Sequence, residues 1–550
     1  MEHYGHIDRD GYPLAAWIWG HRLRIGQHWM EYLLEFLNVL AGFEYELGQG
    51  VDGASKQEYI RFTRLGLRRF VFYDEREKTR HPYDDAARTH LLAVLQQQVV
   101  PTDGDAQSAL DLTRSLLRAF SAVEEQRSWY AKSLFPAHHN LLFWEALRKG
   151  ATKNKGRSVS LDTPPQLLDA EIAFDARNFF ARGGELYYLI LSAGTENAPD
   201  RRQRIAARLR ELLNEHNQPL GLLAEIIDQA WQTKPVSGNG HDKTGRLGWL
   251  PDPQCPLYRL VAEDTDTFLQ ADLDPLETLD LLAHLIGFYL TLYIYHRAHP
   301  KAASQHHADG SCGATCRLAL LVDAMDGADG GVIREVSAAL FREQEARILH
   351  KGGDYVRQQV ESWAIGVADG ALAPRLDSEA RAHFNLSGLH KRSLNPFTRR
   401  VDALLSQFND GSLDRDGFIA GYADALTDLL LRDFRKNFIG VHRKLSKAVG
   451  FVAPLKGPGA RFVLGDNLLK ALTLANIPPG SGMTYDAFLA RLYERYGLVI
   501  GPVEVRESGL LERQRINAEY YDRNRAALLE KMKHAGLAVE YSDATAVVGG

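Results

Sequence analysis

The chain has 550 residues, 45% of them hydrophobic and 25% charged, with a formal net charge of -5. That length exceeds one ordinary core, so about two to four domains are expected, and the composition is that of a globular chain, not a disordered one. The negative balance excludes a global pull toward nucleic acid, and three cysteines are too few for a disulfide scaffold.

Helical periodicity dominates from the start. The first residues show no basic start followed by an apolar core, so no secretory signal is expected and the cytoplasm is the expected compartment. Residues 27–42 place Trp29, Leu33, Leu34, Leu37 and Leu40 at helical spacing, with Gly42 as a stop. A strand is expected at Arg68–Asp74 and a long amphipathic helix, or two, over Ser108–Phe135. The pair Gly183–Gly184 opens a helix whose start has room for a phosphate, although a plain break between helices explains it more simply. Asp200 caps a charged helix over residues 200–216. Asp274 and Pro275 begin an apolar helix, and His284 interrupts its run, which falls short of the roughly 20 apolar residues that span a bilayer. A buried core helix is therefore expected there, with no membrane contact. A strand is expected over Arg317–Ala324, and a helix over residues 331–353 ended by Gly352–Gly353. Residues 148–165, 233–256 and 453–466 read as linkers or long loops.

The last ninety residues carry the clearest order. A helix over 466–476 stops at Pro478–Pro479, and Thr484 caps a second helix that ends at Gly497. A minimal strand, a third helix and two short strands around Ser542–Asp543 follow. Helix, helix, strand, helix, hairpin is the order of a winged helix. Its cations, Arg513, Arg515, Arg523, Arg525, Lys531 and Lys533, are candidates for contact with DNA phosphates and base edges. Arg432, Arg435, Lys436, Arg443, Lys444 and Lys447 add charge upstream. Against this, Glu512, Glu519 and Glu530 dilute the helix, the turn 541–545 has no Lys or Arg, and many winged helices bind protein.

Other chemistry is weaker. His306, His307, Cys312 and Cys316 supply thiolates and imidazoles enough for a structural zinc ion, with Cys255 as a substitute ligand. The spacing of three between the cysteines is not the usual one, and a glycine-rich loop reads the same way. The run Asp74, Glu75, Glu77, Lys78 suggests a metal-dependent nuclease only if a further carboxylate converges on it. His138 and His139 are adjacent and read as packing residues. There is no GxxxxGK[ST] motif.

The segments 31–48, 246–260 and 488–502 resemble stretches of large helical proteins encoded in bacterial antiphage defence operons. The resemblance implies a partner ATPase or helicase and carries no catalytic residue across. The expected fold class is mainly α: an N-terminal helical domain (1–150), a helical segment (166–235), a central helical domain (257–452) and a C-terminal winged-helix domain (463–550). The expected role is a non-enzymatic, DNA-contacting subunit of a multi-subunit antiviral complex. A metal-dependent nuclease and a protein-binding scaffold are the alternatives.

Overall fold

The computed structural model describes residues 13–20, 29–51, 56–61, 63–65, 144–148, 174–176, 182–214, 243–252, 255–299, 318–325, 330–389, 391–514, 516–541 and 545–549, with positions 93, 105, 107 and 108. Helices α1 (Pro13–Trp19) and α2 (Trp29–Gly42) precede four short strands, β1 (Glu58–Arg61), β2 (Thr63–Leu65), β3 (Trp144–Arg148) and β4 (Phe174–Ala176). Next come α3 (Gly183–Gly194), α4 (Pro199–Asn214), β5 (Lys243–Arg246), α5 (Pro256–Phe268) and α6 (Pro275–Ala298). After β6 (Leu320–Leu321) run α7 (Gly331–Ala364), α8 (Asp369–His383), α9 (Lys391–Asn409) and α10 (Arg415–Phe434). A π-helical turn, Arg435–Ile439, joins α10 to α11 (Gly440–Ala448), and a hairpin of β7 (Val452–Ala453) and β8 (Arg461–Phe462) follows. The chain then forms α12 (Asp466–Asn476), β9 (Gly482–Thr484), α13 (Tyr485–Tyr496), β10 (Leu498–Val499), α14 (Pro502–Glu507), α15 (Leu510–Gln514), α16 (Ala518–His534), β11 (Ala538–Glu540) and β12 (Ala546–Gly549). The described residues are mainly helical.

Helix α6 lies at the centre because it is apolar on every side, and such a helix is stable only when covered all round. The Asp274 side chain accepts from the Leu276 amide at 2.8 Å, and Pro275 opens the first turn. Helices α2, α7, α11 and α12 surround it. Phe288 meets Phe451 and Tyr496 edge-on. At Gly287 a Cβ would lie 2.4 Å from Val449 Cγ1, so the missing side chain lets α11 approach. By length and composition α6 would suit a membrane, but most of it is buried inside the protein.

Several expectations change here. Helix α7 does not end at Gly352–Gly353; it runs on to Ala364. A Cβ at Gly352 would stand 3.0 Å from Leu431 Cδ2, so this glycine serves close packing against α10 instead of a stop. Within the expected loop 233–256, β5 pairs antiparallel with β1, with Tyr59 opposite Gly245. The expected linker 453–466 holds most of the β7–β8 hairpin. The strand expected over 317–324 is reduced to Leu320–Leu321, which pairs parallel with Leu498–Val499. The features expected at 68–74 and 148–165, and nearly all of 108–135, lie outside the described residues.

The described residues of the expected domains 1–150, 166–235, 257–452 and 463–550 all contribute to one apolar cluster. A single cluster of buried apolar residues runs from Leu14 through Leu37, Tyr188, Leu285, Ile348, Leu426 and Leu472 to Val548. Polar bonds reinforce the junction at 463. Asp264 of α5, fully buried, accepts from Tyr289 of α6 at 2.8 Å and from Tyr496 of α13 at 2.7 Å, and pairs with Arg495. Burial pushes its carboxyl up, opposed by Arg495 and the two hydroxyls. Asn476 extends the chain of bonds, donating to Tyr496 at 2.8 Å and accepting from Arg491 at 3.1 Å. The last ninety residues are thus fused to the body and do not hang from it.

Candidate nucleic-acid interface

Three of the local signals read in the C-terminal unit have the expected geometry. Thr484 Oγ1 accepts from the Ala487 amide at 3.3 Å and starts α13. Gly497 ends it at φ 71°, where a Cβ would sit 2.5 Å from the Leu318 carbonyl oxygen. Strands β11 and β12 pair antiparallel, with Val539 opposite Val547. Strand β9, absent from the sequence reading, pairs antiparallel with β12, giving the sheet order β11–β12–β9. Helices α14 and α15 and strand β10 stand between α13 and α16.

Helix α16 turns Tyr521, Asn524, Leu528 and Met532 inward, spaced at three and four residues. Asn524 fixes its position. Its amide nitrogen donates to the carbonyls of Val322 at 2.9 Å and Ile500 at 3.0 Å, and its oxygen accepts from the Ala324 amide at 2.9 Å. Nothing in the local sequence marks this asparagine, because all three partners are set by the tertiary fold.

The candidate cations are held by the protein's own acids. Arg513 reaches Glu343 of α7 at 3.3 Å. Arg523 pairs with Glu519 one turn earlier at 2.5 Å. Arg525 donates through Nε to Asp486 at 2.9 Å and lies over the Tyr485 ring, 5.4 Å from its centroid. Lys531 donates to the Leu464 carbonyl at 2.6 Å and pairs with Asp466 at 3.0 Å. Lys533 bridges Glu530 at 2.8 Å and Glu540 at 2.7 Å, and those bonds raise its ammonium above the usual value. Arg515 lies outside the described residues. The outward face of α16 presents Glu519, Asp522, Arg523, Ala526, Glu530 and His534, more acid than base. The structure therefore does not gather these cations into one open positive surface. Each pair is solvent-exposed, and pairs of that kind contribute only about 0–1 kcal/mol.

The other candidates fare differently. His306, His307, Cys312, Cys316, His138, His139 and the run Asp74–Lys78 lie outside the described residues. Cys255 is the N-cap residue of α5 and is half-buried. Among the described residues no group of three or more His, Cys, Asp or Glu has the geometry of a metal site. The phosphate reading at Gly183–Gly184 is overturned. The start of α3 already holds a carboxyl group, that of Glu35 from α2, which accepts from the amides of Arg182 and Gly184 at 2.8 Å each. A Cβ at Gly184 would meet the Tyr32 carbonyl oxygen at 2.3 Å, so the backbones leave no room for another group. Burial, and then the neighbouring Glu185, push the Glu35 carboxyl up to about 8. Glu185 is itself held by Arg182 at 2.9 Å and by the Gly248 amide.

The upstream cations lie on the continuous helical rod of α10, the π turn and α11. Among the described residues, Arg432, Arg435, Lys444 and Lys447 have no carboxylate partner, while Arg443 pairs with Glu345. No protein-family model, curated protein or solved structure matches the chain.

Proposed function

We propose that the chain is a non-enzymatic, DNA-contacting subunit of a bacterial antiphage complex, acting beside a partner ATPase or helicase, and that residues 463–550 form a winged helix. The supporting observation is topological. Helices α12, α13 and α16 accompany a small sheet whose last strand lies between β9 and β11, so the hairpin β11–β12 stands as a wing at one edge. The antiphage setting and the partner motor rest on the resemblance of three segments alone. The inserted β10, α14 and α15 depart from the compact form of the fold. The pairs on α16 lower what that helix offers to phosphates, so the reading entails weak contact that salt abolishes. The test is anisotropy of a labelled duplex with the full chain at rising salt. Arg523→Glu with Lys533→Glu should weaken binding about tenfold, since each adds a repulsive charge near the phosphates. Equal binding by the variant removes α16 from the interface.

The same ion pairs favour a second reading, in which this unit docks protein only. The edge strand β11 carries Val539 at 59% exposure, and Tyr541 just beyond it at 56%. Aspartate at both positions would then abolish co-purification of a protein encoded beside this one, while no duplex binds at any salt. Co-purification unaffected by both changes would sink it.

A further inference from the structure

The distribution of charge along the chain is uneven in a way the net value hides. Residues 434–465 contain Arg435, Lys436, Arg443, Lys444, Lys447, Lys456 and Arg461, and no aspartate or glutamate, in a chain whose balance is -5. A segment of that composition has no acids of its own to neutralise it. Two of its cations are used inside the fold: Arg443 pairs with Glu345, and Arg461 donates to the buried Asp323 at 2.5 Å. Arg435, Lys444, Lys447 and Lys456 have no carboxylate partner among the described residues, and neither has Arg432 just before.

Helical geometry puts the rod's cations on one side. The rod runs without a break from Arg415 to Ala448, and its π turn inserts one residue into the α-helical count. At about 100° per residue, that insertion brings Arg432, Arg435, Arg443, Lys444 and Lys447 within an arc of roughly 100°, where an uninterrupted helix would spread them over roughly 180°. Burial agrees: Phe434, Phe438, Ile439, Val441, His442, Leu445 and Ser446 face inward. From Arg432 to Lys447 the stripe is about 22 Å long at 1.5 Å per residue, which is about six base pairs along one strand of a duplex.

Beyond the rod, the hairpin β7–β8 belongs to the same acid-free segment and packs against α11. Its base is fixed, with the Asp323 amide donating to the Phe462 carbonyl at 2.9 Å and the Phe462 amide to Ser337 Oγ at 2.9 Å. Its tip is not covered. Leu455 is 73% exposed, Lys456 is exposed, and at Gly457 and Gly459 a Cβ would meet nothing within 4 Å.

We infer that the outward face of the rod between Arg432 and Lys447, with the hairpin tip at Leu455–Lys456, is a phosphate-tracking surface for duplex DNA. A row of cations in which, among the described residues, only Arg443 has a carboxylate partner matches a row of backbone phosphates in sign and length, and binding releases the counterions condensed on the duplex. An anionic lipid surface would call for a broad apolar face beside the cations, and Leu455 is the one large apolar side chain exposed there among the described residues. The inference rests on the nucleic-acid reading above, but not on α16.

The experiment compares the full chain with Arg435→Gln/Lys444→Gln/Lys447→Gln, using a labelled duplex and salt titration. The triple variant should bind more than tenfold more weakly, and its slope of log affinity against log salt should fall by about 2.7, or 0.9 per lost cation. Arg435 and Lys444 are exposed and Lys447 is half-buried, and glutamine keeps the helix; an unchanged thermal transition separates lost contact from lost fold. If Arg523→Glu/Lys533→Glu abolishes binding while the triple variant binds normally, this surface is wrong and the broader reading stands. If the unaltered chain binds no duplex at low salt, both fall. Binding to phosphatidylserine vesicles without binding to the duplex also overturns the assignment.

Discussion

Glu35 and His442 make the protein's stability depend on pH in opposite directions. Glu35 keeps its proton up to about 8 in the folded chain, against an ordinary 4.5. Between those values unfolding releases that proton, so the folded state loses stability as pH rises from about 4.5 through about 8. His442 is buried, 3.0 Å from the Tyr295 hydroxyl, and burial, then Arg443, pulls it from 6.5 down to about 3. An unfolded histidine takes a proton below 6.5 and the folded one does not, so stability is lost as pH falls from 6.5 toward 3. Buried His296, held near 4, adds to that acid limb. The Glu35→Gln variant should show a flatter decline in urea midpoint between pH 4.5 and 8. An unchanged decline would show that Glu35 is ionised in the folded state.

At the level of the helices, packing distance decides what a glycine does. A Cβ at Gly353 would meet Thr427 Cγ2 at 3.5 Å, ordinary contact, whereas one at Gly352 comes within 3.0 Å of Leu431 and 3.6 Å of Leu14. Gly353→Ala should raise stability by about 0.5–1 kcal/mol through helix propensity. Gly352→Leu should lower it by about 1–3 kcal/mol by forcing α7 from α10. Denaturant midpoints of the pair read both signs, and a stabilised Gly352→Leu would refute the close-packing role. These glycines also show where sequence reading stops. Helices α2, α4, α6, α12, α13 and α16 were legible because their signals are local: periodic apolar positions, Asp274, Thr484 and Gly497. A glycine pair obeys the same local rule for a stop, and only the neighbouring helix reveals the other use. Two-residue strands such as β6 and β10 have no period to detect. Arg513, Arg525 and Lys531 read as open because their partners Glu343, Asp486 and Asp466 come from other elements. The upstream cations were visible, but the acid-free run around them shows only when acids are counted as well.

Over the whole molecule, the continuous core predicts that the described parts unfold together. Asp264, Tyr289 and Tyr496 tie α5, α6 and α13, and Asn524 ties α16 to the β6 loop and to β10. Residues 463–550 should therefore not unfold on their own. Removing either partner of the buried Asp264–Arg495 pair costs about 3–5 kcal/mol, because the other charge stays buried alone. Urea unfolding of Asp264→Ala should shift the whole transition, followed in parallel by tryptophan fluorescence and far-ultraviolet circular dichroism. A separate early phase confined to the C-terminal residues would contradict a shared core.

The parallel pairing of Leu320–Leu321 with Leu498–Val499 has a consequence for biosynthesis. A ribosome delivers the first partner long before the second, and pairing this far apart in the chain is slow because loop closure precedes any reward. Until translation has passed Val499, the nascent chain leaves Leu320 and Leu321 without their strand partner. Chains released early would expose that apolar edge to aggregation and to chaperones, and nonsense truncations near the end should be cleared by proteolysis before they accumulate.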